Sequence, residues 1–209
     1  MGAVAEARLS DGMVAAMPLR RRGASRARIL AATRELLRRR SYDVLTMDAV
    51  AEAARLTRRT IYHQFMGRQS LYRASREALA RAVAAQLPRS VVTAATPRDA
   101  VLRFATQTLA ALSGDDGSEL LLSLVRDTED RDWLAALYDR ECRARAVTTL
   151  AQALPDDDKA AAQQFMYLLE ALALARCLAG RGGLNMAGQL GPLVDALLGQ
   201  NVPACATVA

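Results

Sequence analysis

Hydrophobic residues recur along most of the chain at the spacing of amphipathic helices. The first such run is Ile29, Ala32, Thr33, Leu36 and Leu37. Because these positions follow the spacing i, i+3, i+4, i+7 and i+8, they share one face of a helix. The pattern predicts a first helix from Ala24 to about Arg40.

Two short helices and a long one are predicted next. Thr46 precedes an apolar-periodic stretch that begins at Met47, and Thr57 precedes the short amphipathic segment RRTIYHQF. Threonine at such a position caps the exposed N–H groups of a helix N-terminus. The pair Met66-Gly67 then breaks the pattern, and a fourth helix is predicted to end near Pro88.

The remaining chain also has the pattern of helices, predicted at about 98–112, 118–127, 131–154, 157–179 and 187–200. Alanine is abundant, aromatic residues make up only 4%, and six prolines interrupt the chain. These features predict an all-α fold of about nine helices. The predicted segments are a flexible basic arm (1–22), an N-terminal three-helix domain (23–87), a linker (88–97) and a second helical domain (98–209).

Charge divides the chain into a basic front and an acidic back. Residues 1–90 carry 18 arginines against 7 acidic residues, a net charge of +11 within a total of +6. Residues 91–209 carry 10 basic and 15 acidic residues, a net charge of −5. A concentration of arginine indicates binding to a polyanion, either nucleic acid or an anionic membrane surface.

The two short helices have the arrangement of a helix-turn-helix, in which the second helix enters the major groove of DNA. On helix three, Ile61 and Phe65 fall on one side, whereas Arg59, Thr60 and His63 point away from it. Arginine can bind guanine O6 and N7, threonine can contact a thymine methyl, and helix N-termini can hold phosphates. One face is therefore expected to pack, and the other to contact DNA.

The segment TMDAVAEAARLTRRTIYHQFMGRQSLYRA resembles the TetR family of transcriptional regulators. The shared features are a Thr-capped helix, a turn, a Ser/Thr-x-x-Thr-Ile/Leu-Tyr-x-x-Phe helix and a basic residue that opens helix four. The resemblance covers about residues 24–87. Arg55 stands where the family usually has glycine in the turn, so the backbone must avoid left-handed geometry or strain into it.

The resemblance implies roles for individual residues and a function for the chain. Phosphate contacts are implied for Thr46, Tyr62, His63 and Arg68, and base contacts for Thr57, Arg58, Arg59 and Thr60. The implied function is a ligand-responsive repressor that binds a palindromic double-stranded DNA operator as a homodimer. The alternative is a helical adaptor that binds an anionic membrane surface or a protein partner.

The last two predicted helices are unusually apolar. Leucines and alanines cover several faces of the helix at 157–179, and the helix at 187–200 carries Leu190, Leu193, Val194, Leu197 and Leu198. Such wide apolar surfaces fit either a monomer core or a two-fold four-helix interface, and the resemblance implies the interface.

Large or polar residues are sparse on the otherwise Leu- and Ala-rich helices of the second domain. The predicted effector-binding residues are Phe104, Trp133, Tyr138, Met166 and Tyr167. They could line a pocket for a small, largely apolar effector, or they could be ordinary core and surface residues.

Other classes of function have little support in the sequence. The chain has one histidine and no Gly-rich phosphate loop, so neither an enzyme nor a cofactor is expected. The acidic group around Asp130 has no His or Cys at ligand spacing, so no metal site is expected. Three widely spaced cysteines and the lack of a membrane-length apolar stretch favour a cytoplasmic protein without disulfides.

Overall fold

A computed structural model describes residues 11–39, 42, 45–91, 95–179 and 187–199. Within these residues all regular structure is helical, which confirms the predicted all-α fold. The helices are α1 Asp11–Arg39, α2 Met47–Ala54, α3 Arg58–Gln64, α4 Arg68–Gln86, α5 Pro97–Ser113, α6 Asp115–Arg126, α7 Arg131–Tyr138, α8 Ala144–Ala151, α9 Lys159–Ala179 and α10 Ala187–Leu197.

Helices α7 and α8 are joined by a π-helical turn, Asp139–Arg143, so that 131–151 is one continuous helical segment. The described residues therefore form nine helical segments of more than one turn, the number that the sequence predicts. π-Helical turns are rare and occur mostly as single turns within α-helices.

Two helix starts differ from the sequence-based expectation. Helix α1 begins at Asp11 rather than Ala24, so the part of the predicted arm that the structure describes is helical, while residues 1–10 lie outside the described residues. Helix α6 begins at Asp115 rather than Ser118. Asp115 and Asp116 lie in its first turn, where negative charge is favoured by the helix dipole.

Gly117 allows α6 to pack closely on α5. A Cβ atom at this position would lie 2.6 Å from the Cα atom of Leu112, closer than real atoms approach. The absence of a side chain therefore permits the tight connection through Gly114, a single residue between the two helices.

The chain divides into two compact units, Met1–Ala78 and Leu79–Ala209. The buried side chains of the first unit include Ile29, Leu37, Val50, Ile61 and Leu71. The second unit has a continuous, mainly alanine, leucine and aromatic core from the C-terminal half of α4 to α10, which includes Leu112, Leu120, Leu137, Phe165 and Leu169. None of the described helices has the length and hydropathy needed to span a membrane.

Candidate nucleic-acid interface

Helix α2 is fixed at its N-terminus by Thr46. The Thr46 side chain accepts a hydrogen bond from the backbone N–H of Ala49 at 3.1 Å, as expected for an N-cap. Met47, Val50, Ala51 and Ala54 are buried along one face. The helix is thus held by a local cap and by burial of its apolar side.

The turn after α2 is formed by Arg55 in the left-handed conformation, with φ 51° and ψ 48°. Its N–H donates to the carbonyl of Glu52 at 3.0 Å, and the N–H of Leu56 donates to the carbonyl of Ala51 at 2.9 Å. A non-glycine residue in this conformation costs about 1–2 kcal/mol. The backbone therefore strains into the left-handed region, which is one of the two outcomes left open by the sequence.

Arg28 of α1 stabilises this turn. Its Nη2 atom donates to the carbonyl oxygen of Ala54 at 2.7 Å and approaches that of Arg55 at 3.4 Å. A cation at a helix C-terminus interacts favourably with the helix dipole and satisfies a carbonyl that has no partner within the helix. The contact offsets part of the strain at Arg55.

Helix α3 is capped in the same way as α2. The Thr57 Oγ1 atom accepts a hydrogen bond from the N–H of Thr60 at 3.2 Å and lies 2.9 Å from the Thr60 hydroxyl. Ile61 and Phe65 are buried, and the guanidinium of Arg26 lies over the Phe65 ring at 4.5 Å. One side of α3 therefore packs into the first unit, as the sequence pattern predicts.

The opposite side of α3 presents polar and basic side chains. Arg58, Arg59, Tyr62 and His63 are all exposed, and they lie within two turns of one short helix. Arg68, at the first position of α4, is also exposed and lies over the ring of Tyr42 at 4.4 Å. This exposed side of α3 brings together four of the eight residues predicted to contact DNA.

Asp48 is a neighbour of this surface that the sequence analysis did not select. It lies in the first turn of α2, and its two carboxylate oxygens pair with Nε and Nη2 of Arg58. The two residues are ten positions apart and belong to different helices. No local sequence pattern relates them, since their proximity depends on how α2 and α3 cross.

The predicted effector-binding residues occupy different environments in the second unit. Phe104, Tyr138 and Met166 are buried in its core, Trp133 is partly buried, and Tyr167 is exposed. Tyr138 and Tyr167 both lie beside the Arg143 guanidinium, with ring centres 5.1 and 4.8 Å from its central carbon.

Arg143 and Glu170 form a largely buried ion pair at this point. Nε and Nη2 of Arg143 lie 2.9 and 2.7 Å from the carboxylate oxygens of Glu170, which also accepts a hydrogen bond from the Tyr138 hydroxyl at 3.1 Å. Burial and the nearby Glu170 charge raise the pKa of Tyr138 well above its ordinary value. The tyrosine is therefore a neutral donor to the carboxylate.

The π-helical turn and the start of α8 place Cys142 and Arg145, respectively, against helix α4. The Cys142 thiol lies 3.5 Å from the carbonyl oxygen of Ala80, and Arg145 Nη2 donates to the carbonyl of Ala84 at 2.6 Å. Burial raises the pKa of Cys142 to about 12. This cysteine is therefore a packed, neutral thiol rather than a reactive one.

An open depression of about 630 Å³ lies elsewhere on the second unit. Its lining includes Leu154, Pro155, Lys159 and Leu197, and none of the predicted effector-binding residues. Within the described part of the chain no group of three or more His, Cys, Asp or Glu side chains is placed to hold a metal ion.

Comparison with known proteins gives consistent results. Residues 29–83 match the family model of bacterial regulatory proteins, tetR family. A TetR-family regulator from Streptomyces coelicolor has a TM-score of 0.63 and 25% identity, covering 82% of this chain and 81% of that one. The flavonoid-responsive regulator FrrA has a TM-score of 0.66 and 21% identity, covering 90% of this chain and 100% of that one. FadR from Bacillus subtilis, in complex with stearoyl-CoA, has a TM-score of 0.62 and 11% identity, covering 84% of this chain and 99% of that one. No curated protein matches the chain.

The capped helix pair and the exposed basic side of α3 are those of a helix-turn-helix protein that binds DNA to regulate transcription. Residues 29–83 therefore form a DNA-binding domain of the TetR family of bacterial regulatory proteins. The family and fold predicted from the sequence are therefore confirmed. The match is to DNA-binding regulators, which agrees with the prediction that the chain is not an enzyme.

Proposed function

We propose that the protein is a repressor that binds a palindromic operator as a homodimer and releases it when a small, largely apolar molecule binds. The observation that carries this proposal is the exposed side of α3, where Arg58, Arg59, Tyr62 and His63 lie together. Helices of this kind enter the major groove N-terminus first. Arg58 and Arg59 at that end are suited to base edges.

Phosphate contacts complete the proposed site. Tyr62, His63 and Arg68 flank the reading residues and are exposed. Thr46 caps α2, and its hydroxyl and the N–H groups beside it are suited to phosphate contacts. Thr57 caps α3 and lies at the end of that helix proposed to meet the bases. Thr60 adjoins Thr57 and lies at the same end of α3. Base contacts would give the site specificity, while phosphate contacts would give it register.

The Arg59 and Arg68 side chains are expected to contribute in different ways. With a site enriched from random duplex DNA, Arg59→Ala should relax the base preference at one position and weaken binding to the preferred base there by about 1–3 kcal/mol. Arg68→Ala should instead weaken binding to all sequences alike and reduce the slope of log affinity against log salt by about one per subunit. Fluorescence anisotropy at several salt concentrations measures both effects.

Arg126→Ala is the matched control, because this exposed arginine lies on α6 in the second unit. It should leave the operator affinity unchanged. If Arg59→Ala and Arg68→Ala both bound operator and scrambled duplexes like the parent protein, α3 would not be the reading helix. Anionic vesicles tested in parallel separate DNA binding from general attraction to negative charge.

The homodimer is proposed to form through α9 and α10. Leu168, Ala171, Ala175 and Leu178 are exposed at helical spacing along α9, and no charged residue interrupts this stripe. A stripe of this kind is costly to leave in water and fits a symmetric four-helix interface. Two subunits would then present two α3 helices to half-sites about 34–36 Å apart, or a multiple of that spacing.

Effector binding is proposed for the second unit. Two similar structures are those of the flavonoid-responsive regulator FrrA and of FadR in complex with stearoyl-CoA, which supports an apolar ligand here. Phe104, Met166 and Tyr138 would supply apolar walls, and Trp133 and Tyr167 would lie nearer solvent. A ligand would release DNA only if it preferred a conformation in which the two α3 helices are wrongly spaced.

Trp133 is the only tryptophan and provides a direct assay of this effector. Stearoyl-CoA or a flavonoid should change its fluorescence and lower operator affinity by about 5–150-fold, the range of a coupling of about 1–3 kcal/mol. Operator DNA should lower the affinity of the protein for the ligand by the same factor. A compound that quenches Trp133 but leaves operator affinity untouched would exclude the coupling for that compound's class.

A further inference from the structure

The Asp48–Arg58 pair has a geometry that matters for base recognition. The carboxylate binds Arg58 side-on, with one oxygen on Nε and the other on Nη2. The Arg58 side chain is nevertheless 65% exposed and that of Asp48 is 57% exposed. The pair therefore lies on the accessible surface of the helix-turn-helix and not within its core.

The side-on arrangement leaves half of the guanidinium free. Arginine has five N–H donors in a fixed fork, of which Asp48 takes one on Nε and one on Nη2. Of the three remaining donors, one on Nη1 and one on Nη2 lie together on the outer edge of the guanidinium. Two donors on one edge are what guanine requires, because its O6 and N7 atoms accept a bidentate pair in the major groove.

We propose that Asp48 is a specificity-determining residue, which orients Arg58 so that its free edge reads one guanine in each operator half-site. The inference rests on the proposed function, because it assumes that α3 enters the major groove. Asp48 acts through Arg58 and is a positioning residue in this scheme. Its contribution is orientation, since an unpaired arginine samples many rotamers and loses that freedom on binding.

The pair also removes Arg58 from general attraction to phosphate. An ion pair has no net charge, so Arg58 adds little to the binding of any sequence while Asp48 holds it. Arg59 forms no hydrogen bond or ion pair with the part of the chain that the structure describes, so no acidic side chain there compensates its charge. The two adjacent arginines therefore differ in role, with Arg58 restricted to specificity.

Asp48→Asn tests the proposal on the full-length protein. We expect discrimination at one guanine per half-site to fall roughly tenfold, within the range for one bidentate contact. Affinity for scrambled DNA should rise, and its salt slope should steepen by about one per subunit, because Arg58 becomes an uncompensated charge. Selection from random duplexes followed by anisotropy titrations measures both quantities.

Asp48→Glu separates orientation from charge. It keeps the negative charge but moves the carboxylate by one methylene, so discrimination should fall while the salt slope stays as in the parent. Glu52→Gln is the matched control, since Glu52 is an exposed acid one turn further along α2. It should leave the base preferences unchanged.

The double variant Asp48→Asn/Arg58→Ala should have the same base preferences as Arg58→Ala alone, because Asp48 acts only through Arg58. The inference is overturned if Asp48→Asn keeps the parent's preferences, if Glu52→Gln changes them equally, or if Arg58→Ala leaves them unaltered. Failure of the proposed function has a different outcome, in which the parent protein enriches no site at all. Thermal unfolding of each variant checks that the fold is retained.

Discussion

Replacement of both Leu168 and Leu178 by glutamate is expected to produce monomers and to lower operator affinity by about 10²–10⁴-fold. The loss follows because a monomer binds one half-site, whereas a dimer binds the second half-site at the high effective concentration set by the first. Leu168 is 47% exposed and Leu178 is 69% exposed, although both are large apolar residues.

These two leucines are better probes than the leucines of α10. Leu193 and Leu197 pack against the core of the second unit, so glutamate at either position would also disturb the fold of a single subunit. Leu168 and Leu178 lie on the outer side of α9, where a charge is harmless to a monomer. At a dimer seam the same charge would be buried without a partner, which costs several kcal/mol.

Val125→Glu provides the matched control for this prediction. Val125 is a large apolar residue on α6 that is 51% exposed, and it lies outside the proposed seam. This variant should remain dimeric and bind the operator like the parent protein. Light scattering gives the mass of each variant in solution. A folded Leu168→Glu/Leu178→Glu protein that is still dimeric would place the interface elsewhere.

The helix-turn-helix could be predicted from the sequence because its determinants are local. Thr46 and Thr57 each cap a helix through a hydrogen bond to an N–H three residues later. Ile61 and Phe65 are buried because helical spacing puts them on the same side. Such features need only a few neighbouring residues, and a sequence shows them directly.

Contacts between helices could not be predicted in the same way. Arg28 reaches the carbonyl of Ala54 across 26 positions, and Asp48 reaches Arg58 across ten. Both contacts depend on the angles at which helices cross, and many crossings are compatible with the same apolar pattern. The start of α1 was also missed, because Asp11–Arg22 has no apolar period and its helix had to be judged from propensity alone.

Contacts between helices in the second unit also could not be predicted from the sequence. Tyr138 and Tyr167 are recognisable in the sequence as large residues on Leu/Ala helices, but the charged pair beside them is not. Arg143 and Glu170 are 27 positions apart, and each alone has the pattern of a surface residue. Their pairing is visible only once α9 lies beside the π-helical turn.

Because of this ion pair, Glu170→Gln is expected to lower the free energy of unfolding by about 3 kcal/mol. Removal of one partner from a buried ion pair leaves the other charge uncompensated, at a cost of about 3–5 kcal/mol. The lower end applies, because the Arg143 side chain keeps 21% exposure and has Asp139 3.4 Å away. Trp133 lies in the same unit and reports its unfolding in urea.

Two further variants make the Glu170 prediction specific. Glu141→Gln removes a carboxylate whose ion pair within the described part of the chain is with the adjacent, exposed Arg140, so its cost should be at most about 1 kcal/mol. Arg143→Met combined with Glu170→Leu replaces the pair by apolar side chains of similar size and should recover most of the loss, since no charge then remains buried.

Equal, small costs for Glu170→Gln and Glu141→Gln would show that the buried pair does not stabilise the second unit. A double variant as unstable as Glu170→Gln would instead show that the charge left on Arg143 does not account for the loss.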